Sequence, residues 1–458
     1  MAPLLKTAGL VSNGLPHILL IMPWLMSRGC KSRQSPNLAG LGCSLLFVSV
    51  SENDGLRNRG IGYYEAVKGS GWEGEAEVVE VEGEDHAFHI VKAETQKAKD
   101  LTKQVTSLTL ELHPFNSLLI LYLCPPMTSP TIATTTAKEI ASEFLPRIRI
   151  YKDGTVERLL GSPYVPPSPH DPQTRVSSKD FTFSHNPNIS ARLYLPNVPQ
   201  NQTQKLPILV YFHGGAFCIE SAFSFLQHRY LNRLVSEAQV IAVSVEYRLA
   251  PENPLPIAYE DCWVALQWVT SHANNEELDD NKEPWLLNYG DFDRLYIGGD
   301  SAGGNIAHNL AMKVGAESLF GAVKILGALV SHSYFWGSKP IGSEPKGEDF
   351  KKTMEYKLWD FVYPSAPGGI DNPMVNPAGE GAPSLAGLGC SKLLVCVAGK
   401  DQLRERGVWY CDLVRESGWK GEVELFEVEG EDHCFHIFSE TETENVKKMI
   451  KRLASFLV

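Results

Sequence analysis

The stretch Arg294–Asn305, RLYIGGDSAGGN, narrows what this chain can fold into more than any other. It reads as a short apolar strand that runs into Gly298-Gly299-Asp300-Ser301-Ala302-Gly303-Gly304 and then into a helix from Asn305 to about Val314. This is G-x-S-x-G in the strand–turn–helix setting that gives the motif its meaning. So sharp a turn strains the backbone of Ser301, and its flanking positions, Gly299 and Gly303, are correspondingly small. The helix that follows aims its unpaired N–H groups and the positive end of its dipole at whatever sits on Ser301.

Around this stretch, strand and helix signals alternate. Ile208–His213 is a compact apolar run, and Val240–Val245 is another, ending in Glu246-Tyr247-Arg248-Leu249-Ala250-Pro251-Glu252. Ile257–Ser271 carries Trp263, Leu266 and Val269 at helical spacing. Glu276–Glu283 is a charge run and reads as a solvated loop. Further strands are expected at Val323–Val330, Leu393–Val397 and Val423–Val428, with helices over Arg404–Glu416 and Thr443–Phe456. Gly337–Pro383, rich in Gly, Pro and aromatics, reads as an irregular insertion or cap over the site. Such alternation implies an α/β chain with a mostly parallel, doubly wound sheet covered by helices on both faces.

Composition excludes some partners. The formal net charge is −12, which disfavours nucleic acid and anionic membrane surfaces. Nine cysteines fall without C-x-x-C spacing or a Cys/His ligand pattern, so buried thiols in a reducing compartment are expected rather than a disulfide framework. The apolar run Leu15–Met26 is too short to span a membrane and is broken by Pro16 and Pro23; Leu118–Cys124 is shorter still. Ser27-Arg28-Gly29-Cys30-Lys31 offers no small-x-small cleavage site, and the expected location is cytoplasmic.

The chain also repeats itself. Pro36–Ile90 matches Pro383–Ile437 without a gap, with roughly 34 of 55 positions identical. Asp54-Gly55-Leu56-Arg57 returns as Asp401-Gln402-Leu403-Arg404, and Val81–His86 returns as Val428–His433. Two copies separated by a long unique stretch do not make a solenoid. The arrangement reads as the tail of one enzyme ahead of a complete second one. Residues 1–126 are then a partial, non-catalytic duplicate, and residues 127–458 the catalytic domain. Met127 opens a passage resembling a natural N-terminus, with an amphipathic helix expected over Ala137–Leu145. The first copy holds an acid and a base, Asp54 and His86, but lacks both G-x-S-x-G and His-Gly-Gly.

A serine hydroxyl is a poor nucleophile at neutral pH; an imidazole must take its proton and a carboxylate must hold that imidazole in the right tautomer. Downstream of Ser301, Asp401 and His433 each follow a strand and come in the order Ser…Asp…His. Asp432 adjoins the histidine in sequence and is expected to point elsewhere; His436 is expected to pack behind the loop. His308 and His332 read as structural. Upstream, His213-Gly214-Gly215-Ala216-Phe217 directly follows a strand. Its two adjacent glycines let backbone N–H groups turn toward a developing oxyanion, with the Ala302 N–H as a further donor. Such donors are worth about 2.7–4 kcal/mol each. No ligand cluster for a metal is evident, and the chemistry needs no cofactor.

With these residues in place, the chain resembles the plant carboxylesterases of the hormone-sensitive-lipase-like branch of the α/β-hydrolases. The likeness rests on His213–Phe217, Tyr247–Glu252, Gly299–Asn305, Asp401–Gly407 and Gly430–Ile437. It implies a structural role for His213, an oxyanion hole from Gly214, Gly215 and Ala302, and a triad of Ser301, Asp401 and His433 acting on small-molecule esters. Asp300, Gly299 and Gly303 complete the motif around the nucleophile. Where the commoner pattern has a third glycine this chain has Ala216, whose methyl group narrows the acyl site. Two relatives on this fold differ in activity. The gibberellin receptors have lost the catalytic histidine, which is present here as His433. The 2-hydroxyisoflavanone dehydratases keep similar machinery to eliminate water, with a threonine expected at the nucleophile or in the oxyanion region. Ser301 and Ala216 argue for ester hydrolysis instead.

Overall fold

The computed structural model describes residues 18–21, 45–52, 57–71, 75–84, 95–101, 103, 138–199, 204–273, 282–439 and 441–458. The chain divides into two compact units, Met1–Thr135 and Thr136–Val458. Asp54 and His86, the run Leu118–Cys124, Met127 and most of the charge run at 276–283 lie outside the described residues.

In the first unit, β1 (Ile18–Ile21), β2 (Leu45–Ser51) and β3 (Glu75–Val81) form a parallel sheet, with α1 (Arg57–Lys68) between β2 and β3. Leu46, Val48, Val50 and Val67 form its buried core.

The second unit opens with a small antiparallel sheet of β4 (Ile140–Phe144), β5 (Ile148–Tyr151) and β6 (Val156–Arg158). The helix expected over Ala137–Leu145 is therefore a strand. Pro146 disfavours helical backbone at Leu145. The alternating Arg147-Ile148-Arg149-Ile150 then folds back, so that Arg149 pairs with Glu143 at 2.6 Å across the hairpin.

The main sheet has eight strands in the order β14-β13-β12-β11-β9-β10-β8-β7. Its antiparallel edge is β7 (Ser177–His185) and β8 (Asn188–Leu195). The parallel part comprises β9 (Leu206–Phe212), β10 (Ile241–Glu246), β11 (Gly290–Asp300), β12 (Ile325–Ser331), β13 (Cys390–Ala398) and β14 (Glu422–Val428). Every residue of β9 is buried, as a strand covered on both faces requires. Ile208, Val210 and Phe212 pack into one core and Leu209 and Tyr211 into another.

On the first face lie α3 (Ile257–Ser271), α4 (Ala302–Ala316) and α5 (Arg404–Glu416); on the second lie α2 (Phe225–Ala238) and α6 (Glu444–Phe456). Helix α6 shows the logic: Thr443 caps its first turn by accepting the Val446 N–H at 3.2 Å. Its Val446, Met449, Ile450 and Leu453 form a single buried stripe, each contributing roughly 1.5–3 kcal/mol.

From β9 the chain moves to one side to make β10, then crosses to the other side for β11. Connections leave β9 and β11 in opposite directions, so a crevice opens between their C-terminal ends. The Gly337–Pro383 region contributes short helices at Glu348–Lys352 and Met354–Val362. It packs on this end, with the Trp359 ring 6.5 Å from Phe217 and Phe361 stacked on Phe144 at 4.8 Å. Among the described residues, no helix is long and apolar enough to cross a membrane.

Candidate active site

Ser301 stands at the junction of β11 and α4 with φ 56° and ψ −115°. Its N–H donates to the Ser331 carbonyl at 2.9 Å, while its own carbonyl accepts from Asn305 and Tyr334 at 3.1 Å each. These bonds over-determine a backbone conformation that an L-residue adopts at a cost of about 1–3 kcal/mol. The flanking glycines are needed for approach. A Cβ on Gly303 would lie 2.6 Å from the Phe212 carbonyl carbon, and one on Gly299 would lie 2.5 Å from the Gly303 carbonyl carbon.

The loop after β9 lies against this junction. A Cβ on Gly214 would sit 2.9 Å from the Asp300 oxygen and 3.4 Å from Ser301 Cβ, so the predicted oxyanion donor adjoins the predicted nucleophile. Gly215 has φ 113°, and Ala216 and Phe217 follow at 54° and 58°. The third position therefore demands the left-handed region that glycine takes freely; Ala216 pays roughly 1–2 kcal/mol to occupy it. His213 is fully buried and stacked on Tyr247 at 4.2 Å. The Tyr247 hydroxyl donates to the His213 carbonyl at 2.7 Å. Burial lowers the His213 imidazole to about 4, so it stays neutral and acts as a brace.

Asp300 is buried beneath Ser301. It accepts from Tyr211 Oη at 2.9 Å and Ser331 Oγ at 2.6 Å. His436 Nε2 lies 3.1 Å from the same oxygen that Ser331 engages. Burial raises Asp300, but the facing His436 and the hydrogen bonds outweigh it and hold the carboxyl below its ordinary value. His436 thus lies against the residue before Ser301, behind the loop, and Asp432 is exposed.

Asp401 follows β13. Its Oδ1 accepts the Leu403 N–H at 2.8 Å, and its Oδ2 lies 2.8 Å from His433 Nδ1. The structure brings a second histidine to the same oxygen: His332 Nδ1 is 2.9 Å away. Burial by itself would raise Asp401, but the hydrogen bonds from His332 and His433 outweigh it and hold the carboxyl well below the carboxylate range. An ionised carboxylate only accepts, so each Nδ1 carries a proton. His433 keeps 36% of its side chain exposed while Asp401 keeps 2%, which leaves the His433 ring facing outward. His308 is fully buried, 2.8 Å from the Tyr410 hydroxyl and away from Asp401's oxygens. Burial lowers it to about 3.

His332 is the residue sequence reasoning undervalued. It stands directly after β12, the same position relative to its strand that Ser301 holds on β11. Asp300 pairs with Ser331 in the parallel register, so the two residues leave the sheet at one level. That shared placement after a central strand is the signal that could have found it. Among the described residues, His332, His433 and Cys434 also bring possible metal-ligand atoms within 4.8 Å of one another. Two of the three are histidines whose Nδ1 is committed to Asp401.

With this geometry established, likeness to known proteins is informative. The α/β-hydrolase fold family matches residues 209–437. A 2-hydroxyisoflavanone dehydratase of Glycyrrhiza echinata is 62% identical over 332 residues, 72% of this chain and 100% of that protein. A probable carboxylesterase 5 of Arabidopsis thaliana is 44% identical over 323 residues, 70% of this chain and 99% of the other. Among solved structures, a thermostable esterase from Pseudomonas putida covers 62% of this chain and 82% of its own, with a TM-score of 0.50 and 22% identity, a likeness of fold alone. The strained Ser301, the crevice between β9 and β11 and these matches agree, and the chain belongs to the α/β-hydrolase fold family, together with plant carboxylesterases and dehydratases.

Proposed function

We propose that the protein is a serine carboxylesterase that cleaves small esters through an acyl-enzyme. The observation that carries this reading is the 2.8 Å hydrogen bond between Asp401 and His433, at the end of the sheet where Ser301 is held in a strained turn. With Nδ1 protonated toward Asp401, His433 Nε2 is the free base. Ser301 Oγ attacks the ester carbonyl and gives its proton to Nε2. The N–H groups of Gly214, Gly215 and Ala302 receive the oxyanion. The imidazolium then protonates the departing alkoxide. Water attacks the acyl-serine, loses a proton to His433, and the acid leaves as Ser301 is reprotonated.

Labelling with a fluorophosphonate probe tests the nucleophile. The wild-type chain should label and should hydrolyse p-nitrophenyl acetate, and Ser301→Ala should do neither. Undiminished hydrolysis by Ser301→Ala would remove serine catalysis from consideration.

A second reading has its own support, the 62% identity to a protein named 2-hydroxyisoflavanone dehydratase. The same base and oxyanion donors suit removal of water from a 2-hydroxyisoflavanone. Turnover of that compound well above turnover of any p-nitrophenyl ester would place the lyase reading first.

Residues 1–126 are proposed to be dispensable. The 332-residue overlap with the dehydratase has the length of Met127–Val458, which supports a catalytic unit complete without them. Six described cysteines, Cys218, Cys262, Cys390, Cys396, Cys411 and Cys434, are buried thiols, which suits the reducing cytoplasm proposed for it.

A further inference from the structure

We infer that His332 is a positioning residue of the catalytic apparatus, a second donor that holds the Asp401 carboxylate in place and shares its charge with His433. The inference rests on the esterase reading for its kinetic consequences, and on the Asp401 geometry alone for its structural ones.

Three observations support it. Both imidazoles place Nδ1 on one oxygen, Asp401 Oδ2, at 2.9 Å for His332 and 2.8 Å for His433, with the rings edge to face at 5.7 Å. The other oxygen is engaged by the Leu403 N–H. With both oxygens fixed, the carboxylate cannot rotate away when His433 moves between its neutral and charged forms. His332 is itself immobile. It is buried, it stacks on His436 at 5.4 Å, and its N–H donates to the Cys396 carbonyl at 2.8 Å. Ser301 in turn donates its N–H to Ser331, the residue before His332. The Ser331–His332 segment therefore links the turn at Ser301 to the Asp401 carboxylate.

Its chemistry suits a permanent donor. Burial lowers the His332 imidazole, against the pull of Asp401, so it remains neutral with the proton on Nδ1. Nε2 is buried without a hydrogen-bond partner, so the ring is held by Asp401 and by packing. The titratable groups around it are Asp401 and His433 on one side and Cys434 and His436 on the other, with Asp300 beyond His436. An oxygen that accepts two N–H bonds is a weaker partner for each. Without His332, that oxygen would hold the imidazolium formed on His433 during the reaction more tightly.

The test compares wild type with His332→Leu, which removes the donor, and His332→Asn, whose amide N–H can replace Nδ1–H. With p-nitrophenyl acetate, His332→Leu should lower kcat about tenfold with KM within twofold. It should also move the acid limb of kcat/KM upward by about half to one pH unit. His332→Asn should recover most of both effects. An unchanged pH limb and kcat in His332→Leu would overturn the inference, as would equal damage in both variants. Proton NMR in the Ser301→Ala background provides a readout independent of turnover. Downfield imidazole N–H signals from both His332 and His433 are expected, the first of them lost in His332→Leu; no signal lost on that substitution would also overturn it. If wild type hydrolyses no ester but shows both signals, the esterase reading fails while the shared carboxylate stands.

Discussion

Replacing Gly303 by alanine places one methyl group where the end of β9 already runs. In an open helix the change would stabilise the protein by about 1 kcal/mol, because alanine loses less backbone freedom than glycine. Here the new Cβ would lie 2.6 Å from the Phe212 carbonyl carbon and 2.8 Å from the His213 oxygen, and closer still to the Phe212 oxygen. Carbon atoms settle at about 3.5–4.0 Å, so β9 and α4 must part by roughly 0.9 Å or more. Overpacking of this kind costs about 1–3 kcal/mol and sometimes more. The steric term wins, and a net loss of about 2 kcal/mol corresponds to a fall in Tm of roughly 3 °C for a domain of this size. The displaced carbonyls immediately precede Gly214, the proposed oxyanion donor, and a shift near 1 Å at such a donor costs about a hundredfold in rate. Calorimetry and steady-state hydrolysis of p-nitrophenyl acetate should therefore show a lower Tm and a much lower kcat in Gly303→Ala. Wild-type values of both would refute the reasoning from close approach. A lower Tm with unchanged kcat would show that the strain is absorbed away from the oxyanion loop.

Other perturbations test separate parts of the molecule. Arg406 and Glu344 form a buried pair with both nitrogen–oxygen contacts at 2.6 Å, and the guanidinium lies 4.7 Å from the Trp336 ring. Arg406→Met should destabilise by about 3–5 kcal/mol by stranding the carboxylate. Adding Glu344→Leu should restore most of that in thermal unfolding; no recovery would disprove the pairing argument. Burial pushes Glu246 up to about 7 from the ordinary 4.5, against hydrogen bonds from Ser221 Oγ and the Ala222 N–H at 2.7 Å each. The folded chain thus holds this proton more tightly than the unfolded one. The stability gained is fully present below about 4.5 and is lost as pH rises through about 7. The loss is on the order of 3 kcal/mol. Glu246→Gln should flatten that decline in urea unfolding between pH 5 and pH 8, and an unaltered slope would contradict it. A chain beginning at Met127 should label with fluorophosphonate at the rate of the full chain; slower labelling would give residues 1–126 a role.

The internal duplication shows how far local sequence carries. The 347-residue offset maps β2, α1 and β3 onto β13, α5 and β14 to within two residues, and the strand register is the same, Leu46 opposite Ala76 as Leu393 is opposite Val423. Even the ion pair recurs, Arg57 with Glu80 as Arg404 with Glu427. Where the pattern is strongly periodic, sequence reading reaches single residues, as for the helices Ile257–Ser271 and Arg404–Glu416. It fails at Ala137–Leu145, because a short amphipathic run suits either period until a hairpin partner decides.

The sequence alone determined the strand–turn–helix around Ser301, the order of Ser301, Asp401 and His433, and the wound sheet, since each depends on residues close together in the chain. Only the tertiary structure decided what meets at the sheet's end. The crossing from β10 to β11 sets Gly214 beside Ser301 and opens the crevice. The parallel pairing of β11, β12 and β13 brings His332 to the oxygen that His433 uses, 69 residues before Asp401 in the chain. A buried histidine after an apolar strand looks structural until its partner is known, because its role is fixed by a carboxylate that the sequence places far away.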